Sequence, residues 1–263
     1  MLKIEGITKT FLKGTPVENN ALKGIDLYLQ KGDYVTVIGG NGAGKSTLLN
    51  AVAGSFFVDT GKIHVGSANV TSLPEYKRAP YLGRVFQDPL RGTVANMSIE
   101  ENMALAFRRG KKRGLAWHIT KKERDLYREK LSMLDLGLEK RLNDHVGLLS
   151  GGQRQALSLL MATFNEPNLL LLDEHTAALD PKTAAKVLEI GDKLIEQYDL
   201  TTLMVTHNML DAITHGNRII MMSDGHIVLD IEGEEKKELT PEKLVLKFNE
   251  KMGDVGGFTE MIV

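Results

Sequence analysis

A glycine-rich run from Gly39 to Thr47 contains the residues of this chain best suited to chemistry. It reads Gly-Gly-Asn-Gly-Ala-Gly-Lys-Ser-Thr and follows the apolar stretch Tyr34–Ile38. The run fits the pattern G-x-x-x-x-G-K-[ST] between a strand and a helix, whose backbone N–H groups surround phosphate oxygens. Lys45 would reach the β- and γ-phosphates, and the Ser46 hydroxyl would bind Mg²⁺. The run therefore predicts a nucleotide phosphate site.

The alternative interpretation of this run is a glycine-rich turn that contains Lys-Ser by chance. The strand pattern before the run and the helical pattern after it favour phosphate binding, because the motif requires that context. The predicted phosphate-binding residues are Gly39, Gly40, Asn41, Gly42, Ala43, Gly44, Lys45, Ser46 and Thr47.

Two carboxylates, Asp173 and Glu174, follow the apolar run Leu169–Leu172. Such a pair could simply carry a buried strand out to solvent. Beside a phosphate site, however, an acidic residue at the end of a core strand can hold Mg²⁺ directly or through water, which is the predicted role of Asp173. Glu174 can accept a proton from the attacking water or polarise it. Without Glu174 the site should bind nucleotide but scarcely hydrolyse it.

A second candidate anion site lies at Leu149–Gln153, which reads Leu-Ser-Gly-Gly-Gln and opens the helical pattern Arg154–Phe164. A Ser hydroxyl, two glycine N–H groups and a helix N-terminus would all face one way there. A Ser-Gly-Gly sequence alone is more often a loop that enters a helix.

Taken in order, the three motifs resemble those of the ATP-binding-cassette (ABC) ATPases, in which the Leu149–Gln153 pentapeptide is the signature motif. The resemblance extends over nearly the whole chain. It implies ATP and Mg²⁺ as ligands and ATP hydrolysis as the activity. It also implies a head-to-tail dimer with a second copy of the chain, in which the phosphate site of one copy meets Ser150, Gly151, Gly152 and Gln153 of the other across ATP.

The resemblance assigns further roles to single residues. Gln87, in Val-Phe-Gln-Asp, matches the glutamine that can touch Mg²⁺ or the attacking water, although a lone Gln would ordinarily lie on the surface. Asp180 matches the loop that crosses the dimer interface, and by itself would be a helix cap. His207 matches the histidine that bonds the γ-phosphate. Phe11, with Val17 beside it, is the candidate for stacking on adenine, or equally a core residue of a small sheet.

The expected roles group as follows. The catalytic set is Glu174, His207, Lys45 and Gln87; the metal-binding set is Ser46, Gln87 and Asp173; Ser150, Gly151, Gly152, Gln153 and Asp180 add to the ATP-binding set. The chain departs from the commonest ABC pattern in having His175 where many members have Pro, and Gly40 where many have Pro or Ser. We expect a mainly structural role for His175, which would stand close to Glu174.

The elements that must position these residues indicate an α/β fold. Alternating segments at Leu2–Ile7, Leu22–Leu29 and Gly61–Gly66 predict an antiparallel sheet. Helical spacing dominates from Ser98 to Met161. Later come two apolar runs typical of parallel strands, a helical pattern between them and a hairpin around Asp-Gly.

By the resemblance this is a P-loop NTPase fold of the ABC nucleotide-binding type, with an antiparallel β subdomain, a mostly parallel core sheet and an inserted helical subdomain. We expect a single domain over residues 1–263. The ATP-binding core would take approximately 1–86 and 162–240, the helical signature subdomain 87–161, and a short C-terminal tail 241–263.

Composition limits the partners. The formal net charge of −1 gives no nucleic-acid footprint, the absence of cysteine excludes disulfides, and no apolar run approaches the length of a spanning helix. The N-terminus does not resemble a signal peptide. The basic run Arg108–Arg113 is expected to be a solvated loop, with anionic lipid headgroups as the alternative contact.

The resemblance favours the ATPase subunit of a bacterial-type importer, cytoplasmic and held at the inner face of the cell membrane by separate permease subunits, which also link it to a substrate-binding protein. The motifs around Ser150, Asp173 and His207 are similar to those of ATPases paired with binding proteins proposed to take aromatic amino acids. The alternatives are a soluble cassette ATPase of a macromolecular machine such as iron–sulphur assembly, or a lipid exporter. A non-hydrolysing scaffold is disfavoured by Glu174 and His207.

Overall fold

The computed structural model describes residues 1–111 and 118–252, and the chain divides into two compact units. Among the described residues, the first unit combines 1–78 with 201–252, and the second unit lies within 79–200. The segment 87–161, expected from the sequence to be helical, lies within the second unit.

The elements follow in chain order. The first unit begins with β1 (Leu2–Phe11), β2 (Asn19–Leu29), β3 (Tyr34–Gly39), α1 (Lys45–Ala53), β4 (Thr60–Val65), β5 (Ala68–Asn69) and α2 (Glu75–Arg78). The second unit contains β6 (Leu82–Val85), α3 (Ile99–Phe107), α4 (Lys121–Ser132), α5 (Gly151–Thr163), β7 (Leu169–Asp173) and α6 (Pro181–Gln197). The first unit then resumes with β8 (Thr202–Val205), α7 (Met209–Thr214), β9 (Arg218–Ser223), β10 (His226–Glu232), α8 (Gly233–Lys237) and α9 (Pro241–Met252).

The predicted antiparallel sheet is present in the first unit, in the order β2-β1-β4-β5. Leu2 faces Leu29 on one side and Val65 on the other, and all three side chains are buried. The alternation that predicted these strands thus puts one apolar face into the core.

The strand before the phosphate loop, β3, lies between β8 and β9 and is parallel to both. Every residue of β3 is buried, as its unbroken apolar run predicted. The predicted hairpin is also confirmed: β9 and β10 pair through Asp224 and Gly225, which have φ values of 46° and 75°. Positive φ at both turn residues is typical of the Asp-Gly hairpin.

The C-terminal part of the first unit contributes to the same core. Leu244 and Phe248 of α9 pack with Ile38 of β3, Met221 of β9 and Leu229 of β10 in one apolar cluster. Residues 241–252, expected from the sequence to be a short tail, therefore form a helix whose apolar face is buried.

Helices α3, α4 and α5 of the second unit each begin with a reciprocal capping box. The pairs are Ser98 with Glu101, Thr120 with Glu123, and Ser150 with Gln153. In each pair the side chains satisfy backbone N–H groups that the first helical turn leaves unbonded. The helical character predicted from Ser98 to Met161 is confirmed in the described residues of that segment.

The aromatic rings of Phe107, Tyr127 and Phe164 meet edge to face beside these helices, with centroids 5.5 to 6.2 Å apart. Burial raises the pKa of the Tyr127 hydroxyl to about 12. Within the basic run, the Arg108 guanidinium pairs with the Glu123 carboxylate at 3.0 Å. Lys112 and Arg113 lie outside the described residues. In the described ranges, no helix combines the length and the apolar character that crossing a membrane requires.

Candidate functional site

The glycine-rich loop leaves β3 at Gly39 and enters α1 at Lys45. Two glycines in it are sterically required. Gly39 has a φ of 152°, and a Cβ there would collide with the carbonyl oxygen of Met222. Gly44 has a φ of 101°, and its Cβ would lie 2.7 Å from the carbonyl oxygen of Ala21. The tight strand-to-helix turn that the phosphate motif demands is therefore built into this chain.

Lys45 is the first residue of α1 and is buried. Its Nζ donates hydrogen bonds to the carbonyl oxygens of Gly39 at 2.7 Å and of Gly40 at 3.1 Å. The ammonium group therefore lies at the loop itself. Ser46 follows on the first helical turn with its side chain exposed, and Thr47 is half-buried.

His207 belongs to the same edge of the first unit. Strand β8 ends at Val205, which is paired with Val37 of the parallel strand β3, and the Thr206 N–H donates to the Val37 carbonyl at 3.2 Å. The glycine-rich loop and His207 thus leave neighbouring strands at their carboxyl ends, the edge at which open parallel sheets bind ligands. The imidazole is exposed.

Asp211 lies on α7, just after His207. Burial raises the pKa of the Asp211 carboxyl group, and the charges of His215 and His207 act in the opposite direction. Positive charge near a carboxylate stabilises its ionised form, whereas burial favours the neutral form.

Phe11, the candidate adenine-stacking residue, ends β1 half-buried. Its ring meets the ring of Phe56 edge to face with centroids 5.1 Å apart, and the Lys9 ammonium lies 5.5 Å from its centroid. Val17, by contrast, is 66% exposed. Phe11 therefore packs on one neighbouring ring and keeps part of its own surface accessible.

In the second unit the parallel strands β6 and β7 bring the Gln87 segment and the acidic pair to one edge. Val85 is paired with Leu172, so both segments leave at the carboxyl ends of paired strands. Glu174 directly follows β7 and has a φ of 44°, a left-handed conformation that costs a non-glycine residue about 1 kcal/mol or more. The backbone therefore turns sharply at the residue expected to act as the base.

Sequence reasoning missed a charged partner of Asp173. The Arg84 guanidinium, on β6, lies 3.2 Å from the Asp173 carboxylate through its Nη2 atom, and both side chains are largely buried. Arg84 stands between apolar residues in the sequence of β6. Because a buried cation almost always has a charged partner, this pattern could have indicated an acidic neighbour.

The signature helix α5 begins at the Ser150 capping box. The Ser150 Oγ accepts a hydrogen bond from the Gln153 N–H at 3.2 Å, so its own proton can still be donated to another group. Gly152 packs against Thr183 of α6 so closely that a Cβ at Gly152 would collide with the Thr183 methyl group. A small residue is therefore required at this position.

Sequence reasoning also missed the residue that ties α5 to the Gln87 segment. The fully buried Gln155 donates from Nε2 to the carbonyl oxygen of Phe86 at 3.0 Å, directly before the exposed Gln87. Asp180 caps α6 by accepting the Thr183 N–H at 3.1 Å. Hydrogen bonding from the Thr183 side chain, and then from its backbone N–H, lowers the pKa of the Asp180 carboxyl group. His175 is buried, which suits the structural role expected for it.

Comparison with known proteins decides the family. A model of the ABC transporter family matches residues 22–177, more than half of the chain. The chain is an ABC transporter ATPase.

Relatives of this ABC ATPase include importers and other transporters. It is 43% identical to a tyrosine transport ATP-binding protein of Clostridioides difficile over 94% of this chain and 98% of that protein. It is 34% identical to the lipoprotein-releasing system ATP-binding protein LolD of a Ruegeria species, over 86% and 97% of the two chains. Identity to the methionine import ATP-binding protein MetN of Streptococcus pneumoniae is 32%, over 84% of this chain and 63% of that protein.

Solved structures agree with the fold. The dimeric structure of a post-hydrolysis state of an ATP-binding cassette, MJ0796, bound to ADP and Pi, superposes with a TM-score of 0.75 at 30% identity. The match covers 88% of this ABC ATPase and 98% of that chain. The α/β fold of the P-loop cassettes, ATP binding and ATP hydrolysis expected from the sequence are thereby confirmed.

The donor atoms of this ABC ATPase suit Mg²⁺. Among the described residues, no group of three or more His, Cys, Asp or Glu side chains could hold a metal ion. Mg²⁺ at nucleotide sites instead takes one or two protein oxygens together with substrate phosphates and water. The Ser46 hydroxyl, the Gln87 amide oxygen and the Asp173 carboxylate are all oxygen donors of that kind.

Proposed function

We propose that this ATPase is the energy-supplying subunit of an importer, and that the transported substrate is an aromatic amino acid. The observation that carries the proposal is the 43% identity, over 94% of this chain, to a protein named for tyrosine transport. An ABC ATPase works on nucleotide and not on cargo, so the substrate is inferred from this likeness and not from residues of the site.

In the proposed reaction two copies of the chain enclose ATP. Lys45 and the loop N–H groups hold the phosphates of one copy, while the Ser150 hydroxyl and the N-terminus of α5 approach the γ-phosphate from the other copy. Glu174 accepts the proton of the attacking water, and His207 donates a hydrogen bond to the γ-phosphate. Mg²⁺, held through Ser46, Gln87 and Asp173, would neutralise charge on the phosphates.

Loss of the γ-phosphate removes the attraction between one copy and the signature helix of the other. The two copies can then separate, and alternation between these states is the motion that would be passed to the permease. The buried hydrogen bond from Gln155 to the Phe86 carbonyl supports this route, because it couples α5 to the Gln87 segment.

A cavity in the second unit suits the docking of a permease segment. Its volume is about 380 Å³, and its lining includes the apolar side chains of Leu105 and Met161 and the cations Arg109 and Lys111. We propose that a short helix of the permease binds along Gln87–Met97 and this cavity. An acidic residue on that helix would complement the cations.

Reversing the charge of Lys111 tests the docking proposal. Lys111→Glu should weaken co-purification with the permease encoded beside this gene about tenfold, because like charges would meet at the contact. ATP binding by the isolated chain should be unchanged. The matched control is Lys122→Glu, an exposed cation of the second unit that does not line the cavity. Equal loss with both variants, or with neither, would contradict the proposed contact.

The importer proposal is tested with the neighbouring permease and binding protein. The binding protein should bind tyrosine or tryptophan in a panel of amino acids, and liposomes carrying the complex should accumulate that amino acid only with ATP.

Export is the second candidate function, and the observation that favours it is the 34% identity to a lipoprotein-releasing ATPase. A neighbouring permease that copurifies without any binding protein and extracts lipid-modified protein from liposomes would support export instead.

A further inference from the structure

Arg84 and Asp173 face each other by strand register. Arg84 of β6 is paired with Leu171 of the parallel strand β7, and Asp173 lies two residues further along β7. Residues two apart on a strand share a face, so Asp173 is the diagonal neighbour of Arg84. The Nη2 to Oδ2 distance is 3.2 Å, and the two side chains are only 13% and 16% exposed.

The Arg84 guanidinium also contacts the aromatic ring of Phe86. It lies 4.5 Å from the centroid of the Phe86 ring, a distance at which a cation is attracted to an aromatic face. The carbonyl of Phe86 accepts the hydrogen bond of the buried Gln155. These contacts favour an orientation of Arg84 that points its charge at Asp173.

We propose that Arg84 is a positioning residue that holds the Asp173 carboxylate and competes for it with Mg²⁺. This inference rests on the proposed role of Asp173 in metal binding. A guanidinium bonded to a carboxylate must be repelled or displaced when a divalent cation approaches the same oxygens. Arg84 therefore raises the Mg²⁺ concentration that the nucleotide complex requires, and holds the carboxylate in place before nucleotide arrives.

The Mg²⁺ dependence of nucleotide affinity tests this proposal without any turnover. Binding of a fluorescent ATP analogue to the full chain is measured over a series of free Mg²⁺ concentrations. Arg84→Gln should lower the midpoint Mg²⁺ concentration about three- to tenfold, because one nearby positive charge is removed. Arg84→Lys, which keeps the charge, should stay closer to the original midpoint.

Arg91→Gln is the matched control. The Arg91 guanidinium contacts the same aromatic ring as Arg84, at 5.1 Å from the centroid of Phe86. The ion pair with the Asp173 carboxylate, however, is made by Arg84. Removal of the Arg91 charge should leave the midpoint unchanged. An unchanged or raised midpoint in Arg84→Gln would overturn the proposal, as would an equal fall in Arg91→Gln.

Asp173→Asn separates failure of this inference from failure of the proposed metal site. If Asp173→Asn raises the Mg²⁺ midpoint and Arg84→Gln leaves it unchanged, Asp173 binds the metal and the Arg84 proposal is wrong. If Asp173→Asn has no effect, the metal role of Asp173 is itself wrong.

A second measurement, of stability, tests the proposal even if Arg84→Gln folds poorly. In EDTA without nucleotide, Arg84→Gln and Asp173→Asn should each lower the unfolding midpoint, and the double variant should lower it by less than the sum. Additive effects would mean that the two side chains do not interact, which also contradicts the proposal.

Discussion

Glu174→Gln is expected to leave ATP binding intact and to reduce ATP turnover about a hundredfold or more. A glutamine side chain has nearly the shape of glutamate but cannot accept the proton of the attacking water, and a general base typically contributes factors of 10² to 10⁴. Unhydrolysed ATP should then hold two copies of the chain together. Steady-state phosphate release and size-exclusion chromatography with Mg²⁺ and ATP measure both effects.

Glu166→Gln is a suitable control for that variant. Glu166 also has a positive φ, 46° against 44° for Glu174, and its side chain is exposed. The same change from carboxylate to amide at the same kind of backbone position should leave turnover near the original rate. If Glu174→Gln hydrolysed ATP normally, Glu174 would not be the base. If turnover fell without an ATP-dependent dimer, the head-to-tail arrangement would be in doubt.

Lys45→Met is expected to weaken nucleotide binding by about ten- to a hundredfold and to abolish measurable turnover at ordinary ATP concentrations. The ammonium contributes a charge-assisted contact to phosphate, and hydrogen bonds of this kind contribute about 1.5 to 3 kcal/mol. Met keeps the length and the apolar stem of the buried lysine, so α1 should pack as before. Titration with a fluorescent ATP analogue measures the loss.

Two comparisons make the Lys45 result specific. Lys62→Met changes an exposed lysine of β4 and should leave the affinity unchanged. AMP, which lacks β- and γ-phosphates, should bind equally to the Lys45→Met variant and the original chain. A parallel loss for AMP, or a lowered unfolding temperature, would instead point to a distorted loop around the carbonyls of Gly39 and Gly40 that Lys45 now contacts.

Much of the fold could be predicted because its signals are local. Three patterns each predict their element from a few neighbouring residues. They are the alternation around Leu2 and Leu29, the turn dipeptide at Asp224 and the apolar run of β3. The glycine-rich loop is local in its backbone turns, since Gly39 and Gly44 have positive φ values, but the carbonyl oxygens of Met222 and Ala21 that also exclude a Cβ there lie outside the motif. The helix α9 was less visible, because its sequence is short and charged and its partners on β3 and β9 are distant in the chain.

The residues of the site also separate into those that local sequence patterns indicated and those that they did not. Asp173, Glu174, Gln87 and His207 were found by residue type and by their places at strand ends. In the structure Asp173 is the last residue of β7 and Glu174 follows it, while Gln87 and His207 each lie two residues beyond the carboxyl end of a strand. Their roles in binding and hydrolysis stay predictions. Gln155, whose hydrogen bond crosses to Phe86, was not found, because a glutamine inside a helical pattern carries no mark of its distant acceptor.

The sequence by itself determined the family, the order of the motifs and the residue types that ATP chemistry needs, because each motif is a short run whose spacing encodes its own turn or helix end. Only the tertiary structure decided that Arg84 holds Asp173. That pairing depends on the register of β6 against β7, which joins residues 89 positions apart. Strand register is set by how two faces pack, so no spacing within either strand could reveal it.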